Sequence, residues 1–215
     1  MTSIVVVDFG MGNLRSVAKA FEHVAPMAKV KISGDPQQVR AADRVVLPGQ
    51  GAIGGYIKAL HETELEPAVL EAAAAKPFLG ICLGQQVLFE SSDEHGEDGK
   101  SVKTLGLFKG QVKHFTHVSS DPQAMNDPQT GHQYTIPHMG WNQVRQAVDH
   151  PLWDGIDDMA RFYFVHSYCV QSELDSDVAG ITEYGVKFTS ASARDNIFAV
   201  QFHPEKSQHD GLRLL

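Results

Sequence analysis

Cys82 is bracketed by glycines one residue away on each side, in Gly80-Ile81-Cys82-Leu83-Gly84. The apolar residues before it, 77–81, read as a short buried strand, and those after it, 83–90, read as a helix with Leu83, Val87 and Leu88 on one side. Two glycines at a strand-to-helix junction remove the Cβ atoms that would crowd a sharp turn. Such a turn lifts the sulfur to the carboxyl edge of a sheet and sets it at the amino end of a helix, where free N–H groups favour a thiolate. An inert buried cysteine is the plainer reading. It leaves the flanking glycines unexplained, since each costs roughly 0.5–1 kcal/mol relative to Ala inside a regular element. A nucleophilic cysteine is therefore expected, provided that folding supplies a base.

Of the eleven histidines, His203 is the best placed to be that base. It ends the apolar run Ile197-Phe198-Ala199-Val200-Gln201-Phe202, Pro204 stops that run at once, and Glu205 follows. A carboxylate two residues beyond an imidazole, across a proline-fixed turn, can hold the ring in one tautomer. His166 also lies in an apolar run but has no acid close behind it. Cys82, His203 and Glu205 are the expected triad. Cysteine and histidine spacings suit no zinc site, so neither metal nor cofactor is expected.

The elements that must position these groups follow a β-α-β order. Residues 4–7, Ile-Val-Val-Val, read as a strand buried on both faces. The turn at residues 8–13 contains Gly10 and Gly12, but Arg15 breaks any G-x-G-x-x-G, so it reads as a structural turn with Asn13 as helix cap. Leu14, Val17, Ala18 and Phe21 then form a helical stripe. Strands are expected at 30–32 and 44–47, the second stopped by Pro48. Residues 49–55 carry four glycines in seven and read as a loop whose backbone N–H groups can approach a ligand. A helix at 65–75 precedes the strand that ends at Cys82.

Later residues read differently: a polar loop at 91–99, short strands within 105–115, a long surface loop at 116–137, a strand at 162–170, and a hairpin pairing 188–192 with 197–202. The whole predicts one α/β domain over 1–215. Its central sheet is mostly parallel and flanked by helices, with an added antiparallel sheet. Ligands in such sheets sit outside the carboxyl ends of the strands, where Cys82 and the glycine loop both fall.

Composition narrows the setting. The net charge is −8 with no Lys/Arg cluster, which argues against a nucleic-acid surface. No apolar run approaches the ~20 residues of a membrane helix. Two cysteines, Cys82 and Cys169, and no leader before the first strand point to a reducing, cytoplasmic environment.

Three separated motifs agree in order and spacing with a known family: Gly80-Ile-Cys82-Leu-Gly84-Gln-Gln86, Pro48-Gly49-Gln50-Gly51 and His203-Pro204-Glu205. With them the chain resembles the class I, triad-type glutamine amidotransferases. Residues 8–14, 137–142, 163–168 and 201–207 narrow the likeness to the glutaminase subunits of imidazole glycerol phosphate synthases, in histidine biosynthesis. The resemblance implies that Cys82 attacks the side-chain amide of L-glutamine, that His203 shuttles protons and that Glu205 orients it. It implies an oxyanion hole from backbone at Gly49, Gln50, Gly51 and Leu83, and a grip on glutamine by Gln86, Glu94, Ser167 and Tyr168. It also implies a separate (β/α)₈ cyclase subunit that receives the ammonia, docked on Met139, Trp141, Asn142, Tyr163 and Lys206. Taken alone, Trp141 reads as a strand-end core aromatic. Gln50 departs from the small aliphatic residue expected in the oxyanion strand. Residues 116–132 read as an insertion, and the helix expected near Ser207 as shortened. The rival readings are the glutaminase of another amidotransferase, such as pyridoxal phosphate synthase, and a catalytically silent regulatory subunit.

Overall fold

The structure is a computed structural model that describes residues 1–96 and 99–215. The first half alternates strands and helices: β1 (Ser3–Val7), α1 (Leu14–Val24), β2 (Lys29–Ser33), α2 (Pro36–Ala41), β3 (Arg44–Gly49), α3 (Ile53–Glu62), α4 (Leu65–Ala75), β4 (Phe78–Cys82) and the single-turn α5 (Leu83–Gln86). The second half is mainly strands: β5 (Ser91–His95), β6 (Ser101–Lys103), β7 (Gly110–His114), the short α6 (Phe115–Val118), β8 (His138–Gln143), β9 (Arg145–Gln146), β10 (Arg161–His166), β11 (Tyr168–Ser172), β12 (Val178–Tyr184), β13 (Val186–Arg194) and β14 (Ile197–Val200). Helix α7 (Gln208–Leu214) follows.

Among the described residues the main sheet runs β2-β1-β3-β4-β14-β13-β11-β7-β5-β6, and β8 pairs with β10 in a separate antiparallel sheet. The five strands from β2 to β14 are parallel; β13, β11 and β7 continue the sheet antiparallel. This is the expected α/β sheet with its antiparallel addition.

Period-two alternation explains the apolar runs. Val5 and Val7 of β1, with Val45 and Leu47 of β3, enter one core; Ile4, Val6 and Val46 enter the other. Helices α3 and α4 seal the first core through Ile53, Tyr56, Leu65 and Val69, and α1 seals the second through Val17, Ala18 and Phe21. Both faces of the central sheet are thus covered, leaving the strand ends as openings.

Several expectations are corrected. The helix after Cys82 ends at Gln86: the Leu88 and Phe89 N–H groups reach back only three residues, to the Gln85 and Gln86 carbonyls at 3.1 and 3.2 Å, so the chain continues as tight turns. The polar stretch after it is strand β5, held by main-chain pairing to β6 and β7 rather than by apolar side chains. The described part of the 91–99 loop is therefore only 96 and 99. Gly54 and Gly55 lie inside α3, so the glycine loop is limited to residues 50–52. Of 105–115 only β7 is extended. The 116–137 loop opens with α6, whose Phe115 is buried. The run 162–170 breaks at Ser167, so β10 and β11 belong to different sheets. Asn13 makes no side-chain cap, whereas Asp35 accepts the Gln37 N–H at 2.8 Å and caps an unexpected helix, α2.

Candidate active site

The elbow is formed as its glycines require. Cys82 has φ 56° and ψ −110°, a left-handed backbone that a non-glycine residue adopts only when its surroundings enforce it. Two close approaches supply that enforcement. A Cβ on Gly84 would lie 1.8 Å from the Leu47 carbonyl oxygen, and one on Gly80 would lie 2.7 Å from the Gly84 carbonyl oxygen. Glycine lets α5 drop directly onto β3 and β4. Register then places Gly49 beside Cys82.

Beneath Gly49 lies Tyr56, fully buried, its ring where a Cβ at 49 would be, 2.2 Å from Cε2. Its hydroxyl donates to the Pro48 carbonyl at 3.0 Å. Burial first, and the Cys82 charge second, push the phenol well above its ordinary pKa, so it remains a donor. The strand entering residues 49–51 is therefore pinned from below.

His203 sits just past β14, the strand that pairs with β4. The short 3₁₀ turn Pro204–Lys206 brings Glu205 back, and His203 Nδ1 lies 2.8 Å from Glu205 Oε1. Ser207 anchors this turn to β10: its hydroxyl donates to the His203 carbonyl at 2.6 Å and accepts the Tyr163 N–H at 2.9 Å. With Nδ1–H committed to Glu205, Nε2 is the free nitrogen, and it is buried without a hydrogen-bond partner. Burial pulls the His203 pKa down. The Cys82 sulfur and Glu205 pull it up further, so the net shift is upward, to about 10. Cys169, by contrast, is pushed up to about 12 by burial and stays a thiol.

The sulfur and this imidazole share one pocket of ≈ 360 Å³. Its wall also holds Gln50, Gly51, Leu83, Gln86, Glu94, Ser167, Tyr168 and Lys206, together with His166. Every expected catalytic, oxyanion and glutamine-binding residue thus lies in this pocket or, for Gly49 and Glu205, directly behind it. Two have further duties. Glu94 Oε2 accepts the Ile53 N–H at the start of α3 at 2.9 Å, and Gln86 Nε2 donates to the Tyr168 carbonyl at 3.0 Å and to Gln201 Oε1 at 2.8 Å. Of the expected docking residues, Met139 and Trp141 are exposed, at 61% and 42%, and Tyr163 packs edge-on against Trp141. Trp141 is therefore not a core aromatic. A larger cavity, ≈ 830 Å³, opens at the opposite, amino ends of the parallel strands, beside Ile4, Arg44 and Phe78, and contains none of these groups.

Gln201 was not singled out from sequence. It is fully buried and points Nε2 at the Cys82 sulfur, 3.6 Å away. A lone amide inside the apolar run 197–202 was the available signal, since a buried polar side chain needs a partner.

Sequence comparison agrees with this geometry. The class-I glutamine amidotransferase family matches residues 5–213. The chain belongs to that family. This class-I amidotransferase is 54% identical over all 215 residues to the imidazole glycerol phosphate synthase subunit HisH of Nitrosomonas europaea, spanning 96% of that protein. It is 55% identical over 213 residues to the same subunit of Dechloromonas aromatica, covering 99% of this chain and 94% of that one. The structure of PurLQS from Thermotoga maritima superposes with a TM-score of 0.69 at 16% identity, covering 99% of this chain and 95% of that one, and shares the amidotransferase's fold.

Proposed function

We propose that this amidotransferase hydrolyses L-glutamine with Cys82, His203 and Glu205, as the glutaminase subunit of imidazole glycerol phosphate synthase. The observation that carries the reading is the strained Cys82 elbow sharing a pocket with His203, whose other nitrogen is locked on Glu205. Its relatives at 54–55% identity carry the HisH name, which favours this pathway over a pyridoxal phosphate synthase partner. An intact triad argues against a silent regulatory subunit.

The Cys82 thiolate adds to the glutamine side-chain carbonyl carbon. The developing oxyanion is met by backbone N–H groups of Leu83 and of the 49–51 segment; one such donor is worth about 10²–10³ in rate. His203 Nε2–H protonates the departing nitrogen as the C–N bond breaks, leaving ammonia and a γ-glutamyl thioester. The same nitrogen then takes a proton from water, which opens the thioester to glutamate. Glu205 keeps Nε2 as the working nitrogen throughout. Gln86, Glu94, Ser167 and Tyr168 hold the amino-acid end, with the Glu94 carboxylate matched to its ammonium. Gln50, in the 49–51 segment, adds an exposed polar side chain at the pocket rim.

Ammonia passes to a (β/α)₈ cyclase subunit in the cytoplasm, which uses it to make imidazole glycerol phosphate and aminoimidazole carboxamide ribotide. The cyclase docks on Met139, Trp141, Asn142, Tyr163 and Lys206, and an exposed Trp suits an interface anchor. No helix among the described residues is long and apolar enough to cross a membrane. Glutamate release measured with and without the cyclase tests the reading. Little release is expected from the subunit alone, strong release in the complex with cyclase ligand bound, and none from Cys82→Ala. Equal release from Cys82→Ala and wild type overturns the chemistry, and failure to co-purify with the cyclase overturns the pathway.

A further inference from the structure

Two buried histidines have no part in the reaction above. His138 on β8 and His166 on β10 are paired across the small sheet, with His138 Nδ1 2.9 Å from His166 Nε2. His138 Nε2 lies 3.2 Å from Asn142 Nδ2, and His166 Nδ1 lies 2.8 Å from the Tyr168 carbonyl oxygen. The two ends dictate the polarity. Asn142 Nδ2 can only donate, and its orientation is set by the Glu183 carbonyl at 2.9 Å and by the Gln143 N–H, which donates to Oδ1 at 2.8 Å. A carbonyl oxygen can only accept. Hence His138 accepts on Nε2 and donates from Nδ1, and His166 does the same. A further proton on either ring would set N–H against N–H. Burial acts in the same direction, lowering His138 to about 4 and His166 to about 3.

The line continues past Tyr168. Its carbonyl also accepts from Gln86 Nε2; the second hydrogen of that amide goes to Gln201 Oε1, and this leaves Gln201 Nε2 facing the Cys82 sulfur. The two donors meet on that carbonyl, so the histidine pair acts on the amides through the position of the Tyr168 oxygen, and the Gln86 amide, with both hydrogens committed, has no freedom to flip. At the far end Asn142 follows Trp141 on a strand whose Met139 and Trp141 face outward.

We propose that His138, His166, Gln86 and Gln201 are positioning residues: the donor line read from Asn142 and the Gln86 amide converge on the Tyr168 carbonyl, and by fixing that oxygen between them they fix the Gln201 N–H aimed at the nucleophilic sulfur. The role assigned to the sulfur rests on the glutaminase reading.

The test reverses the histidine half of the line instead of deleting it, which turns a ring lone pair against the Tyr168 carbonyl that Gln86 also holds. Asn142→Asp offers only acceptors, so His138 turns its proton to Nε2, Nδ1 becomes an acceptor, and His166 reverses in turn and ceases to donate to Tyr168. Asn142→Ala leaves the tautomers alone. In the full chain, two-bond ¹H–¹⁵N spectra near neutral pH are expected to show both wild-type rings neutral and protonated on Nδ1, and both on Nε2 in Asn142→Asp. Alkylation of Cys82 by iodoacetamide, located by peptide mapping, should then be about tenfold slower in Asn142→Asp than in Asn142→Ala, the effect of one hydrogen bond to a charged group. An Nε2–H or charged ring in the wild type overturns the proposal, and so do reversed tautomers with unchanged alkylation. Should Asn142→Asp not fold, His138→Asn, which keeps the donor to His166, must alkylate faster than His138→Phe, which cuts it; equal rates overturn the proposal. These readouts need no glutamine, so their failure leaves the glutaminase reading standing, and loss of that reading leaves the tautomers unchanged.

Discussion

Gly84 is where a single methyl group should do most harm to the reaction. Its missing Cβ is occupied by the Leu47 carbonyl oxygen at 1.8 Å, with the Leu47 carbonyl carbon at 2.9 Å. Ordinary contact begins near 3.5 Å, so Gly84→Ala must open the gap by about 1.7 Å. Backbone lies on both sides, β3 and α5, so no flexible side chain can yield. Overpacking of this kind costs about 1–3 kcal/mol, within the ~5–15 kcal/mol of a typical domain, and the variant should fold. The geometry at the elbow suffers more. Cys82 is paired with Gly49, and a displacement of about 1 Å between nucleophile and oxyanion donors is worth ~10²-fold in rate. The assay is a urea titration together with steady-state glutaminase kinetics in the complex. A lower midpoint and a kcat reduced about 100-fold are expected. Gly54→Ala is the matched control: its Cβ meets only ordinary contacts, 3.5 Å from Gly96 Cα and 3.6 Å from Val102 Cγ2, and sits in a helix, where alanine is favoured. If Gly84→Ala keeps kcat within about threefold of wild type, as the control should, the close-packed elbow is not what holds the sulfur in place.

Tyr56→Phe removes the donor to the Pro48 carbonyl and leaves that oxygen buried; a loss of about 1–3 kcal/mol by urea titration and a lowered kcat are expected, and an unchanged kcat would detach Tyr56 from the 49–51 segment. Arg194 pairs with the buried Asp177 and donates to the Leu107 carbonyl at 2.7 Å, so Arg194→Ala should cost about 3–5 kcal/mol by leaving that carboxylate alone, whereas a loss below about 1 kcal/mol would show it is already solvated. His138 and His166 both have folded pKa values, about 4 and about 3, below the unfolded 6.5. Between these values the unfolded chain binds more protons, so their stability is fully present above pH 6.5 and is lost as pH falls. Each contributes a slope of about 1.4 kcal/mol per pH unit, and His138→Phe should flatten the urea-derived profile between about pH 6 and 4.5 by that amount; an unchanged slope refutes the neutral buried ring.

Much of the site was legible because its chemistry leaves local marks. Gly80 and Gly84 announce the elbow, and Pro204 with Glu205 announces a fixed carboxylate behind His203. The two-sided apolar runs at 4–7 and 44–47 announce buried parallel strands. What was not legible depends on tertiary partners. Ser91–His95 carries no apolar alternation, because it is held by main-chain bonds at the far part of the sheet. Helix α5 is only one turn long and passes into tight turns at Leu88 and Phe89, although the apolar residues 87–89 continue its pattern. The break at Ser167 carries no Gly or Pro to mark it in a stretch that reads as one strand, yet it sends β10 and β11 into different sheets and places Ser167 and Tyr168 on the pocket wall. Gln201, His138 and His166 acquire meaning only from partners far away in sequence: 119 residues separate Gln201 from Cys82.

The most direct measurement is to quench the complex in acid during turnover of isotopically labelled glutamine and map the label by peptide mass spectrometry. A γ-glutamyl group is expected on the Cys82 peptide alone, accumulating in a variant that forms the thioester but opens it slowly, and absent from Cys82→Ala together with all glutamate release. Label on another residue, or turnover that persists without the Cys82 sulfur, contradicts the account.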